Sequence, residues 1–262
     1  AKQIEKGGGI RKGKAKPIIK ADNRDFQADR IMYAVLEAQG RYAEAEKHIR
    51  KALDLAYATS VIERHSRETV SGRIDLSTNL THQHRLMEAE IEARQAIKEA
   101  LGHGGAESNL TARAVKSLAE VMLARDRVGD AEQLARAGIR ILESAGLSSD
   151  AEEICSARMF LGNILSQNED FPEAAKQLDL AGRGMQENPY LYTATMAKNP
   201  ILMLTLLRTG RLDEGMRMIS QIYELDRKIY GEKHPATVLI LGLRGIANDM
   251  AGNSRGAFAD FS

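Results

Sequence analysis

The chain has 262 residues, with 37 basic and 36 acidic side chains and a formal net charge of +1. A single cysteine excludes an internal disulfide, and no apolar run approaches the roughly 18 residues of a spanning helix. Trp is absent and only five prolines occur, in a chain rich in Ala, Leu, Glu and Arg, which favours an all-helical protein.

The charge is unevenly spread. Residues 1–20 hold seven Lys and Arg against Glu5 alone, a net +6 that leaves −5 on the remainder. With Gly7–Gly9 inside it, residues 1–24 read as a flexible basic arm too polar to bury a core. Such an arm is able to touch nucleic acid or an anionic membrane, but a solvated leader is the favoured reading. The single cysteine and the lack of an apolar signal core lead us to expect a cytoplasmic location.

From residue 25 onward helical patterns come in pairs. The first is expected over Phe26–Gln39, with Phe26, Ile31, Tyr33, Val35 and Leu36 as its apolar face, and Gly40 ends it. The second, Tyr42 to about Tyr57, places Ala45, Ile49, Ala52 and Leu53 on one stripe. Further pairs follow at Val61–Thr81 with Leu86–Leu101, Glu107–Arg125 with Ala131–Ser144, and Ser149–Gln167 with Pro172–Gln186. Ser149 and Asp150 are the expected N-caps of the fourth pair. A fifth pair is expected over Tyr190–Arg208 and Leu212–Tyr230, its stretch Ile201–Leu207 apolar nearly all round and therefore buried. A sixth starts near Ala236.

These pairs are copies of one another. GRYAEAEKHIRKALDLA from Gly40 returns as RLMEAEIEARQAI, RVGDAEQLARAGI, DFPEAAKQLDLAG, RLDEGMRMISQIY and NSRGAFADF. The small residue in each is Ala45, Ala89, Ala131, Ala174, Gly215 and Ala257, at separations of 44, 42, 43, 41 and 42 residues. A fixed period of this length marks a repeat array in which each unit packs only on its neighbours. The turn of the second copy is odd, because His82-Gln83-His84-Arg85 stands where a glycine is expected. The last copy lacks a polar outer cap, so the natural chain is expected to continue past Ser262 or to be followed by another domain.

The repeats resemble tetratricopeptide repeats, in particular the 42-residue type of kinesin light chains and many bacterial proteins. The resemblance covers Phe26–Ser262. It rests on small residues at Ala45/Ala52, Ala89/Ala96, Ala131/Gly138 and Ala174/Ala181, and on turn residues Tyr42, Leu86, Val128, Phe171 and Leu212. The segment Tyr230-Gly-Glu-Lys-His-Pro-Ala-Thr is similar to the inter-repeat linker of the kinesin-light-chain type. Gly215 and Ile222 depart from the alanines expected in the fifth copy.

The resemblance implies a right-handed α-solenoid of antiparallel helix pairs, with a concave groove lined by the first helix of each pair. The groove would bind a peptide or a partner domain. Carried onto this sequence, its face includes Arg30 and Glu37 in the first repeat, Arg113, Lys116 and Glu120 in the third, and Ser156, Met159, Asn163 and Gln167 in the fourth. The Lys/Asn clamp that some co-chaperone repeats close on a C-terminal carboxylate is not reproduced, since Ala34 occupies an asparagine position.

Catalytic and metal chemistry finds little support. Cys155 lies in a helix with apolar neighbours such as Ile154 and reads as a small hydrophobe rather than a nucleophile. His82, His84 and His103 lack Cys or carboxylate companions at ligand spacing. Gly102-His-Gly-Gly105 lacks the strand and the Gly-Lys-Ser/Thr of a phosphate loop. We therefore expect a non-catalytic scaffold without cofactor or metal, with nucleic-acid binding disfavoured by the acidic body and sparse aromatics. The alternative is the sensing or regulatory repeat domain of a larger enzyme, such as a caspase-like protease, with its groove serving a further domain of the same chain.

Overall fold

Six turns set the architecture. The backbone enters the left-handed region at Gly40, His84, Asp126, Glu169, Gly210 and Gly252, with φ between 58° and 77°. In each, the next residue donates its N–H back to a helix carbonyl five residues earlier: Arg41 to Leu36 at 2.9 Å, Arg85 to Leu80 at 2.9 Å, and so on to Asn253 with Asn248 at 2.8 Å. This is the Schellman closure, which satisfies the last carbonyls of one helix and reverses the chain. The second turn thus works without glycine: His84 itself takes the left-handed conformation (φ 58°), as do Asp126 and Glu169, at roughly 1–2 kcal/mol each. A new helix begins two residues later every time.

A computed structural model describes residues 23–59, 66–185 and 200–261. Its helices are α1 (Asn23–Ala38), α2 (Tyr42–Thr59), α3 (Arg67–His82), α4 (Leu86–Gly104), α5 (Asn109–Ala124), α6 (Val128–Ser144), α7 (Glu152–Gln167) and α8 (Phe171–Met185). They continue with α9 (Pro200–Arg208), α10 (Leu212–Tyr230), α11 (Pro235–Met250) and α12 (Ser254–Phe261). The fold is all-α, and consecutive helices pack as pairs that stack into a solenoid. Residues 1–22 of the basic arm expected over residues 1–24, the start of the third expected helix at 61–65 and residues 190–199 of the fifth repeat lie outside the described residues.

Small residues let the pairs close. Ala45, Ala52, Ala89, Ala96, Ala131, Ala174 and Ala181 are all fully buried. A Cβ on Gly162 would come within 2.7 Å of Leu178 Cγ, which explains why α7 carries no side chain there. One hydrophobic core runs from Phe26 through Leu76, Leu118 and Leu161 to Ala174. A second cluster around Leu178 and Leu206 carries it into α9. Leu202, Met203, Leu206 and Leu207 are buried, as the apolar run in α9 requires.

Polar bonds recur at the same interval. Tyr33 Oη donates to the Asp75 carbonyl at 2.9 Å, Asn79 Nδ2 to Glu37 at 2.7 Å and Tyr57 Oη to Glu99 Oε1 at 2.6 Å, each pair 42 residues apart. At the turns, Arg41, Arg85, Arg127 and Arg211 each reach a carboxylate three residues on, in Glu44, Glu88, Asp130 and Glu214.

Two local expectations are corrected. Ile31 and Val35 do not belong to the buried face of α1: they are 63% and 46% exposed, while Phe26, Tyr33 and Leu36 are buried. The buried stripe of α1 is narrower than its run of apolar residues, and Ile31 and Val35 fall outside it. The fourth pair is not capped by Ser149 or Asp150, since Ala151 precedes α7 and makes no capping bond. Asp150 is held below its ordinary pKa by hydrogen bonds from Ser148 and its own backbone.

Two predictions follow from this packing. Ala131→Leu inserts three carbons where α6 meets α5, and should lower stability by about 1–3 kcal/mol in chemical denaturation; an unchanged midpoint would contradict the close crossing. Asp29 is only 5% exposed and accepts hydrogen bonds from Lys51 Nζ and His48 Nδ1, both at 2.9 Å. Burial pushes its carboxyl up, but the bonds and charges of Lys51 and His48 outweigh this and hold it below the usual value. A carboxylate depressed on folding stabilises the fold above its unfolded-state pKa and loses that contribution as pH falls through the folded one. The melting deficit of Asp29→Asn should therefore be largest near neutrality and shrink in acid, whereas a pH-independent deficit would exclude this pairing.

Candidate functional site: a cleft between the third and fourth repeats

The first helix of the third repeat buries Ala112, Val115, Leu118, Ala119 and Met122. That leaves Asn109, Arg113, Lys116 and Glu120 on the opposite stripe, at helical spacing. In the fourth repeat, α7 buries Ile154, Cys155, Leu161 and Leu165 and presents Glu152, Ser156 and Phe160 towards α5. Between them, with Leu134, Ala135, Gly138 and Leu142 of α6 as the back wall, is a cleft of about 710 Å3. Arg67 at the start of α3 and His103 near the end of α4 complete its lining.

The cleft is apolar below and charged at its edges. Leu110, Leu134, Leu142 and Phe160 supply the apolar surface. Lys116 Nζ pairs with Glu120 at 2.8 Å and lies 5.2 Å from the centre of the Phe160 ring, so one cation bridges α5 to α7. Asn109 Nδ2 donates to Glu153 at 2.8 Å across the same gap. Arg113 is exposed and forms no ion pair among the described residues, although its charge lowers the carboxyl of Asp75 against the larger upward push of burial.

Of the residues expected to line the groove, Arg113, Lys116 and Ser156 come together in this cleft, with Glu120 held beside Lys116. The others stand elsewhere. Arg30 is ion-paired with Asp75 at 2.5 Å. Glu37 accepts from Asn79 and from the His82 ring, so both α1 side chains are engaged with α3. Met159 is half-buried against the Cys155–Leu178 cluster, Asn163 is half-buried and Gln167 is exposed at the end of α7. Sequence reasoning missed Asn109 and Phe160, which share helical registers with Arg113 and Ser156 and were therefore findable. It also missed Arg67 and His103, which arrive from another repeat and carry no signal in local spacing.

No protein-family model matches the sequence, and no curated protein matches it. Solved structures match its fold. BtubC (BKLC) from P. vanneervenii superposes with a TM-score of 0.63 at 14% identity, over 94% of this chain and 89% of that one. A kinesin light chain with nearly identical TPR-like repeats, from Podosopora anserina, gives 0.61 at 15% identity over 73% of this chain and 91% of its own. A Rap protein complexed with Competence and Sporulation Factor gives 0.58 at 15% identity, over 94% of this chain and 63% of that protein.

This chain has the tetratricopeptide-repeat fold. The cleft thus lies between the first helices of two consecutive tetratricopeptide repeats. Among the described residues no group of three or more His, Cys, Asp or Glu is placed to hold a metal ion, and no helix is long and apolar enough to cross a membrane. His82 instead packs against Tyr42, with ring centres 5.2 Å apart, and bonds Glu37.

Cys155 is fully buried, and burial pushes its thiol pKa up. Its Sγ lies 3.9 Å from the Ser149 carbonyl. Iodoacetamide should accordingly label the folded tetratricopeptide array at neutral pH far more slowly than the chain in urea; equal rates would contradict the buried thiol.

Proposed function

We propose that this chain is a non-catalytic protein-interaction scaffold that holds a peptide or partner domain against α5 and α7. The observation that carries the reading is the cleft itself. Its volume of about 710 Å3 is in the range of side-chain and small-ligand pockets, and it combines an apolar floor with a few convergent polar groups. Phe160 and Leu134 would take an apolar anchor from the partner, and Arg113 and Lys116 would fix its register. Such sites draw affinity from a few buried anchors rather than from total area. The Rap protein, complexed with Competence and Sporulation Factor, supports the same reading by fold likeness.

The test is a comparative pull-down with the wild-type chain and with Arg113→Glu/Lys116→Glu, the bound proteins quantified by mass spectrometry. Both side chains lie outside the core, so the double variant should keep its helical circular dichroism. A protein captured by the wild type and lost with the double variant is the expected outcome. Capture that is equal for both chains would move the site away from this cleft.

A further inference from the structure

The charges around the cleft are segregated by wall, and this deepens the reading just given, on which it rests. Arg67, Arg113 and Lys116 come from α3 and α5, whereas Glu152 and Glu153 come from the first turn of α7. Among the described residues most arginines are ion-paired with a carboxylate, but Arg67 and Arg113 are among those that are not. Both line this one cleft. Glu152, on the facing wall, likewise forms no ion pair among the described residues.

The placement is not explained by helix stability. Glu152 and Glu153 suit the positive end of α7, but Arg67 is the first residue of α3, where the helix dipole disfavours a cation. Arg113 lies in the second turn of α5, near that helix's positive end. Arginines such as Arg41, Arg85 and Arg127 are neutralised by a carboxylate one turn away or by one from the adjacent helix; Arg67 and Arg113 are left facing an apolar floor. Lys116 is partly neutralised by Glu120, which leaves Arg67 and Arg113 as cleft cations that form no ion pair among the described residues.

We propose that the cleft selects a dipolar peptide segment, in which an apolar side chain seats on Phe160 between an acidic residue facing Arg67 and Arg113 and a basic residue facing Glu152. A ligand of one sign would meet attraction on one wall and repulsion on the other. A ligand of both signs in the right order meets attraction on both. The selectivity is thus a difference of affinities built from paired attraction and repulsion.

The test is selection from a random 12-residue peptide display library on the wild-type chain, on Arg113→Glu and on Glu152→Lys, followed by fluorescence anisotropy with the recovered peptides. The wild type should recover peptides carrying an apolar residue flanked by one acidic and one basic residue. Each charge reversal should weaken those peptides by roughly tenfold or more, since like charges are then opposed. Arg113→Glu should recover peptides richer in basic residues, and Glu152→Lys peptides richer in acidic ones. Recovered peptides that are neutral or of one sign, yet lose binding with Phe160→Ala, would overturn the dipolar ligand and leave the cleft as the binding site. Peptides unaffected by Phe160→Ala and by both reversals, or no peptide recovered at all, would overturn the dipolar ligand and the proposed site together.

Discussion

The left-handed residue between paired helices is the constraint on which the structure depends. It occurs at Gly40, His84, Asp126, Glu169, Gly210 and Gly252, in step with the small residues at Ala45, Ala89, Ala131, Ala174, Gly215 and Ala257. Because the turn and the close crossing share one period, each pair is closed the same way and successive repeats keep one sequence register. The bonds from Tyr33 to Asp75 and from Tyr57 to Glu99 repeat that register at 42 residues. The cleft lies where two of these first helices, α5 and α7, stand side by side with α6 behind them, and their outward stripes face a shared gap.

Charge divides this surface into two kinds of region. Most arginines hold a carboxylate, often three or four residues along the same helix, and such exposed pairs contribute little to stability. In the cleft Arg67, Arg113 and Glu152 have no ion-pair partner among the described residues, and they stand beside the apolar surface of Phe160, Leu134 and Leu142. Charges placed at the edge of an apolar pocket act at a lower effective dielectric than charges in open solvent. They serve orientation and choice of partner more than raw affinity.

Much of the fold was legible in the sequence because it is written as a period. Ala45, Ala89 and Ala131 give the phase, and Gly40 and Gly210 give the turns. His84 hid one turn, since a histidine in the left-handed region has no sequence signature beyond its position in the repeat. Ile31 and Val35 misled in the opposite direction: they are apolar and helical, but whether such residues are covered depends on what packs against α1, which composition does not contain. Ala151 preceding α7 was similarly invisible beside two better capping residues. In the site, Arg113, Lys116 and Ser156 could be placed from helical register and the family resemblance. Arg67 and His103 could not, because they enter the cleft through the stacking of α3 and α4 on α5.

The most direct test of a partner-binding cleft is site-specific photo-crosslinking. A benzoylphenylalanine replaces Ser156 in the cleft in one chain, and Arg94, an exposed residue on the second helix α4, in another. Each chain is irradiated in native lysate. The account predicts a discrete covalent adduct from the Ser156 position that is absent from the Arg94 position. Adducts of equal yield at both positions, or an adduct at Arg94 alone, would contradict it.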